Sequence, residues 1–202
     1  MTGRIAVLDY GSGNLHSVSR AIAAVGGDAT VTSDVDEVRR ADALVIPGVG
    51  HFGQCVEALR AAELDRAALD FAATGRAVIG VCVGMQILFE GSDEAEDAGL
   101  GALRGWVRRL PDGVKVPHMG WNTVRWTAPH PLTEGIDDGT YFYFVHSYAA
   151  DDDAPAVIGV AEHGRAFAAA AAADNVFATQ FHPEKSGDAG LRIYANLVGA
   201  VA

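Results

Sequence analysis

The hydrophobic positions in the first half of the chain alternate between two periods. Arg4 to Tyr10 (RIAVLDY) is a nearly continuous apolar run, as in a strand buried on both faces. Asn14 to Val25 instead spaces its apolar residues as a helix does and stops at Gly26 and Gly27. The alternation continues through a strand at Ala29 to Thr32, a short helix at Val35 to Arg40, a strand at Ala43 to Ile46, one helix from Phe52 to about Ala73 and a strand at Ala77 to Cys82. Strands that alternate with helices predict a parallel sheet.

After Gly99 the segments are shorter and rich in aromatics: Trp106 to Leu110, Gly120 to Trp126, Tyr141 to Tyr148, Ala156 to Ala161, Ala166 to Ala172 and Asn175 to Phe181. These read as strands and hairpins. Ala168 to Ala173 suits a helix by propensity, but turn pairs flank it, His163-Gly164 before and Asp174-Asn175 after, so a strand is expected. Gly187 to Val201 closes the chain as an amphipathic helix. Internal repeats and a domain-dividing linker are both lacking. The expectation is one α/β domain spanning 1–202, flavodoxin-like, with a mixed, mostly parallel central sheet flanked by helices.

Composition narrows the function. A chain of 202 residues that is 50% hydrophobic can bury one substantial core. Its apolar runs at Ala77 to Cys82, Tyr141 to Val145 and Ala166 to Ala173 fall far short of the ~20 residues that cross a bilayer. Met1 to Tyr10 lacks the pattern of a signal peptide, so a cytoplasmic protein without a membrane role is expected. The net charge of −11, from 15 basic and 26 acidic side chains, repels phosphate backbones and argues against nucleic acid as a partner. Reduced thiols are expected of such a chain, so Cys55 and Cys82 are judged as thiols.

Cys82 lies within Gly80-Val81-Cys82-Val83-Gly84, where an apolar strand gives way to a helix. This is the pattern of a nucleophile elbow, whose tight turn leaves no room for side chains two positions either side of the nucleophile. The helix N-terminus, with its free N–H groups, favours thiolate over thiol there. Cys55, in the middle of a predicted helix, reads as a small buried hydrophobe.

A thiol nucleophile needs a base, and the base needs an orienting group. Of the seven histidines, only that in "QFHPEKS" (Gln180 to Ser186) has a carboxylate two residues away. His182 and Glu184, two apart in an extended segment stiffened by Pro183, share one face. His182 follows the strand ending at Phe181, so it and Cys82 both fall at strand C-terminal ends, the functional edge of a parallel sheet. Oxyanion donors are expected from the Val83 N–H and from Val49 or Gly50 in "IPGVGHF", where glycines make a change of peptide orientation cheap.

Together these residues resemble the class I (triad) glutamine amidotransferases, and within them the glutaminase subunits of imidazole glycerol phosphate synthases. The resemblance rests on "DYGSGN" at 9–14, "PGVGHFG" at 47–53, "GVCVGMQILFE" at 80–90, "VPHMGWN" at 116–122, "YFVHSY" at 143–148 and "QFHPEKS" at 180–186, with Val83 where leucine is usual. It implies Cys82 as nucleophile, His182 as base and acid and Glu184 as its orienter. Gly50, Gln86, Glu94, Ser147 and Tyr148 would contact glutamine, the substrate, and no cofactor or metal is implied. It also implies a separate (β/α)8-barrel cyclase subunit, acting in histidine biosynthesis, that uses the ammonia. Such a barrel takes ~250 residues and must be another chain. Tyr143 and Lys185 match interface positions.

Two alternatives remain open at this stage. A flavin- or phosphate-binding module using "DYGSGN" as a phosphate loop leaves Cys82, His182 and Glu184 without a role. A stand-alone cysteine hydrolase, or the glutaminase of another amidotransferase, does not account for Pro-Gly-Val-Gly beside Pro-His-Met-Gly-Trp-Asn.

Overall fold

The computed structural model describes residues 3–202, so Met1 and Thr2 of the expected 1–202 unit lie outside the described residues. Strands β1 (Arg4–Leu8), β2 (Asp28–Thr32), β3 (Ala43–Gly48) and β4 (Ala77–Cys82) are linked by helices α1 (Leu15–Ala24), α2 (Val35–Arg40), α3 (Phe52–Ala61) and α4 (Leu64–Ala72). All their pairings are parallel, with β1 between β2 and β3 and β4 on the far side of β3. Ile5–Leu8 and Ala43–Ile46 are fully buried, as strands covered on both faces must be.

Local chemistry sets the helix ends. Gly26, at φ +84°, ends α1 with N–H bonds from Gly26 and Gly27 back to Ala23 and Ile22. Asp34 caps α2 by accepting from the N–H groups of Asp36 (2.7 Å) and Glu37 (3.2 Å).

The expected single helix from Phe52 to about Ala73 is two helices. Phe52, Val56 and Leu59 face the core, and an unbroken helix would next bury Glu63, Arg66 and Asp70. Glu63 instead adopts φ +57° and advances the phase by one residue, so that Leu64, Ala67, Ala68 and Phe71 are buried.

The second half of the chain extends the same sheet. After α5 (Val83–Leu88) come β5 (Gly91–Ser92), β6 (Ala95–Ala98), β7 (Trp106–Arg109), β8 (His118–Trp126), β9 (Thr140–His146), β10 (Tyr148–Ala150), β11 (Val157–Glu162), β12 (Ala166–Ala173), β13 (Val176–Thr179) and α6 (Gly187–Ala200). Strand β13 pairs with β4 in parallel, and β12, β11, β8 and β9 follow antiparallel, completing a nine-stranded sheet ordered β2-β1-β3-β4-β13-β12-β11-β8-β9. The alanine run is therefore a strand, as its flanking turns predict. The apolar stretch Tyr141 to Tyr148, expected as one element, divides at Ser147: β9 stays in the large sheet, while β10 joins a four-stranded sheet with β7, β5 and β6.

Candidate active site

Cys82 ends β4 and precedes α5 with φ +57° and ψ −113°, a backbone conformation costly for a residue with a Cβ. The neighbouring glycines show why the turn can form. A Cβ on Gly84 would lie 1.8 Å from the Ile46 carbonyl oxygen, and one on Gly80 would lie 2.5 Å from Leu88 Cδ1. Helix α5 thus starts against the end of β3. Val83, its first residue, has an N–H of the kind that lacks an intrahelical partner.

The next strand supplies the base. His182 follows β13 and precedes a 3-10 turn, Pro183–Lys185, against which α6 packs so closely that a Cβ on Gly190 would lie 1.9 Å from the Pro183 oxygen. The His182 backbone is fixed at both ends: its N–H donates to the Tyr143 oxygen (2.9 Å), and its carbonyl accepts from Ser186 Oγ (2.6 Å). His182 Nδ1 lies 2.8 Å from Glu184 Oε1, the side chains being 2% and 0% exposed. The carboxylate therefore keeps the proton on Nδ1 and leaves Nε2, which has no bonded partner among the described residues, for the sulfur side.

Burial works against a charged imidazole, but the Cys82 sulfur and Glu184 outweigh it and push His182 up to about 10. Cys82 thus acts on His182 electrostatically, although no Cys82–His182 bond of full hydrogen-bond geometry forms. Catalytic hydrogen bonds commonly tighten only around substrate. The arrangement is suited to an imidazolium–thiolate pair.

Cys82, His182, Val83, Val49, Gly50, Gln86, Glu94, Ser147, Tyr148 and Lys185 line one cavity of about 270 Å³. Glu184 stands behind His182, and Tyr143 lies beside Lys185, whose Nζ is 5.9 Å from the Tyr143 ring centre. A larger cavity of about 730 Å³, around Trp126 and His130, opens at the other strand ends and contains no cysteine. Nucleophile and base, not volume, select the smaller one.

Several of these side chains have partners already. Gln86 Nε2 donates to the Tyr148 oxygen (2.9 Å) and to Gln180 Oε1 (3.0 Å), while Glu94 Oε2 accepts from the Phe52 N–H (2.8 Å) at the start of α3. The Val49 N–H is 3.5 Å from Ser12 Oγ, so it is not offered to the cavity in this arrangement.

Other residues enter the site that the sequence did not single out. Asn14 Nδ2 donates to Glu184 Oε1 at 3.3 Å, giving the last residue of "DYGSGN" a place behind the base. Gln180 Nε2 lies 3.8 Å from Cys82 Sγ. The hydroxyl of Tyr194, fully buried in α6, and Glu184 Oε2 both lack a hydrogen-bond partner among the described residues. Burial first, and the Glu184 charge second, hold Tyr194 well above the ordinary phenol range. His146 also lines the cavity but cannot replace His182. Burial and its neighbour His118 lower it to about 3, with Nδ1 on the Tyr148 oxygen (2.9 Å) and Nε2 on His118 Nδ1 (3.0 Å).

The family model of class-I glutamine amidotransferases matches residues 6–198. The chain belongs to that family. Similar relatives include the imidazole glycerol phosphate synthase subunit HisH of Dehalococcoides mccartyi (strain CBDB1), 47% identical over 95% of both chains. The subunit of the same name from Bacillus cereus (strain ATCC 14579) is 43% identical over 98% of this chain and 95% of its own. Among solved structures, PurLQS from Thermotoga maritima superposes with a TM-score of 0.80 over the whole of both chains at 17% identity, a likeness of fold alone. As a glutamine amidotransferase, the chain contains within the described residues no cluster of three or more His, Cys, Asp or Glu side chains placed to hold a metal ion.

Proposed function

We propose that the chain is the glutaminase subunit of an imidazole glycerol phosphate synthase, with Cys82, His182 and Glu184 as its triad. The observation that carries this reading is the strained Cys82 elbow sharing a cavity with His182, whose far nitrogen is held by a buried carboxylate. The near-full-length likeness to HisH subunits supports the choice among amidotransferases.

The Cys82 thiolate adds to the side-chain amide carbon of glutamine, and the carbonyl oxygen becomes an oxyanion held by backbone N–H groups, Val83 among them. As the C–N bond breaks, the imidazolium of His182 gives its proton to the departing nitrogen. Ammonia leaves and a γ-glutamyl thioester remains. Neutral His182 then takes a proton from water, the hydroxide adds to the thioester carbon, and expulsion of the thiolate yields glutamate. Glu184 stays ionised throughout and stabilises each imidazolium stage.

The ammonia passes to a (β/α)8-barrel cyclase. The outer face of β8 and β9 suits such docking: Met119, Trp121 and Tyr141 are 60%, 56% and 61% exposed, and cross-strand register sets Trp121 beside Tyr143. Exposed aromatics and Met are typical of interface centres. The test is glutamate release and ammonia incorporation by the isolated chain, by the chain with its cognate barrel, and by the pair with the barrel's nucleotide ligand bound. A stepwise rise is expected. Equal turnover in all three would favour a stand-alone hydrolase.

A further inference from the structure

The Cys82 sulfur has two hydrogen-bond partners among the described residues, and they favour opposite protonation states. The thiol donates to the Val145 carbonyl oxygen at 3.9 Å, a group that only accepts and so favours the protonated form. Gln180 Nε2 lies 3.8 Å from the sulfur, within the longer reach of a sulfur acceptor. An N–H aimed at the sulfur favours the thiolate.

Which end of the Gln180 amide faces Cys82 decides the effect, because the amide oxygen in that place would repel a thiolate. A backbone carbonyl two hydrogen bonds away sets it. The Tyr148 oxygen, which can only accept, takes His146 Nδ1–H and Gln86 Nε2–H, each at 2.9 Å. Gln86 must therefore present its NH2 group there, and the second N–H of that group donates to Gln180 Oε1 at 3.0 Å. Gln180 is left with Nε2 for the sulfur. Gln180 is 0% and Gln86 3% exposed, so bulk water does not compete for these groups. The segment is anchored as well: the Gln180 backbone N–H donates to the Ala169 oxygen of β12 (2.9 Å), and Phe181 stacks on Phe142 with ring centres 4.0 Å apart.

We infer that Gln180 is a further catalytic residue, whose side-chain N–H, aimed by Gln86, stabilises the Cys82 thiolate before attack and again when the thioester expels it. This rests on the glutaminase reading above. The amide gives up no proton; the thiol proton goes to His182, as in the chemistry already described.

The experiment compares wild type with Gln180→Met, which fills similar space without a donor, and Gln180→Glu, which retains an acceptor for Gln86 but turns a carboxylate oxygen to the sulfur. Each is assembled with the barrel subunit carrying its nucleotide ligand. Glutamate release gives kcat and KM. Separately, without glutamine, the rate of iodoacetamide alkylation is followed against pH and mapped to Cys82 by peptide mass spectrometry. For Gln180→Met, kcat should fall roughly 3- to 10-fold with KM unmoved, the range of one net hydrogen bond. By the same factor, its alkylation profile should move to higher pH by about 0.5 to 1 unit, with the alkaline plateau unchanged. Gln180→Glu should move the profile further in the same direction, and it carries the test if Gln180→Met does not fold. A residue that only packed the site would change rates without shifting the midpoint along the pH axis. Unmoved alkylation profiles in the folded variants, with the wild-type complex active, overturn the role of Gln180 and leave the glutaminase reading standing. A wild-type complex that releases no glutamate overturns both.

Discussion

Glu184→Gln retains the shape of the side chain and an acceptor for His182 Nδ1 but removes the negative charge. In the native site that contact is 2.8 Å long between side chains almost wholly shielded from water, so bulk solvent cannot replace the lost charge. A hydrogen bond to a charged group is worth about 1.5–3 kcal/mol, which at about 1.4 kcal/mol per decade predicts a roughly 10- to 150-fold fall in kcat. The pH profile carries a separate signature. His182, pushed up to about 10, is an imidazolium across neutral pH, and activity declines on the alkaline side as that proton is lost. Glu184 is one of the groups that raise it, so the variant's alkaline limb should move to lower pH. The assay is steady-state glutamate release by the stimulated complex from neutral to strongly alkaline pH. His182→Ala should be more damaging at every pH, because it removes the proton carrier itself. A Glu184→Gln enzyme with wild-type kcat/KM and an unmoved alkaline limb would refute the assignment of Glu184 as orienter.

Three further outcomes are expected. Gly84→Ala forces a Cβ to within 1.8 Å of the Ile46 oxygen, and overpacking of about 1–3 kcal/mol should lower Tm by roughly 2–12 °C along with activity, as calorimetry and turnover would record. Asn14→Ala removes a long, 3.3 Å bond to Glu184, so stimulated kcat should fall several-fold with KM unmoved in steady-state kinetics. Trp121→Ala, at a 56% exposed position away from the cavity, should leave isolated-chain activity unchanged but raise the barrel concentration needed for half-stimulation by roughly 30-fold if Trp121 is a hot spot of about 2 kcal/mol.

Much of the architecture was legible because burial on both faces gives β1, β3 and β4 uninterrupted apolar runs, and because Gly80 and Gly84 bracket Cys82. The break at Glu63 was not legible. Its signal is a one-residue slip in the buried phase, which a helix-length window averages away. β5 and β6, of two and four residues, are too short for any period to register. Ser147 marks a change of sheet rather than an end of apolar character, so β9 and β10 read as one strand. In the candidate site, the spacing of His182 and Glu184 was readable, being local. The bonds from Asn14 to Glu184 and from Ser12 to Val49 join segments far apart in sequence, and only the order of strands across the sheet brings them together.

The most direct test of the central claim is mass spectrometry of the stimulated complex quenched during turnover of glutamine, with peptides mapped around both cysteines. A γ-glutamyl thioester on Cys82, absent from Cys82→Ser and from the isolated resting chain, is the predicted result. A glutamyl adduct on Cys55, or glutamate formed at the wild-type rate by Cys82→Ser, would contradict it.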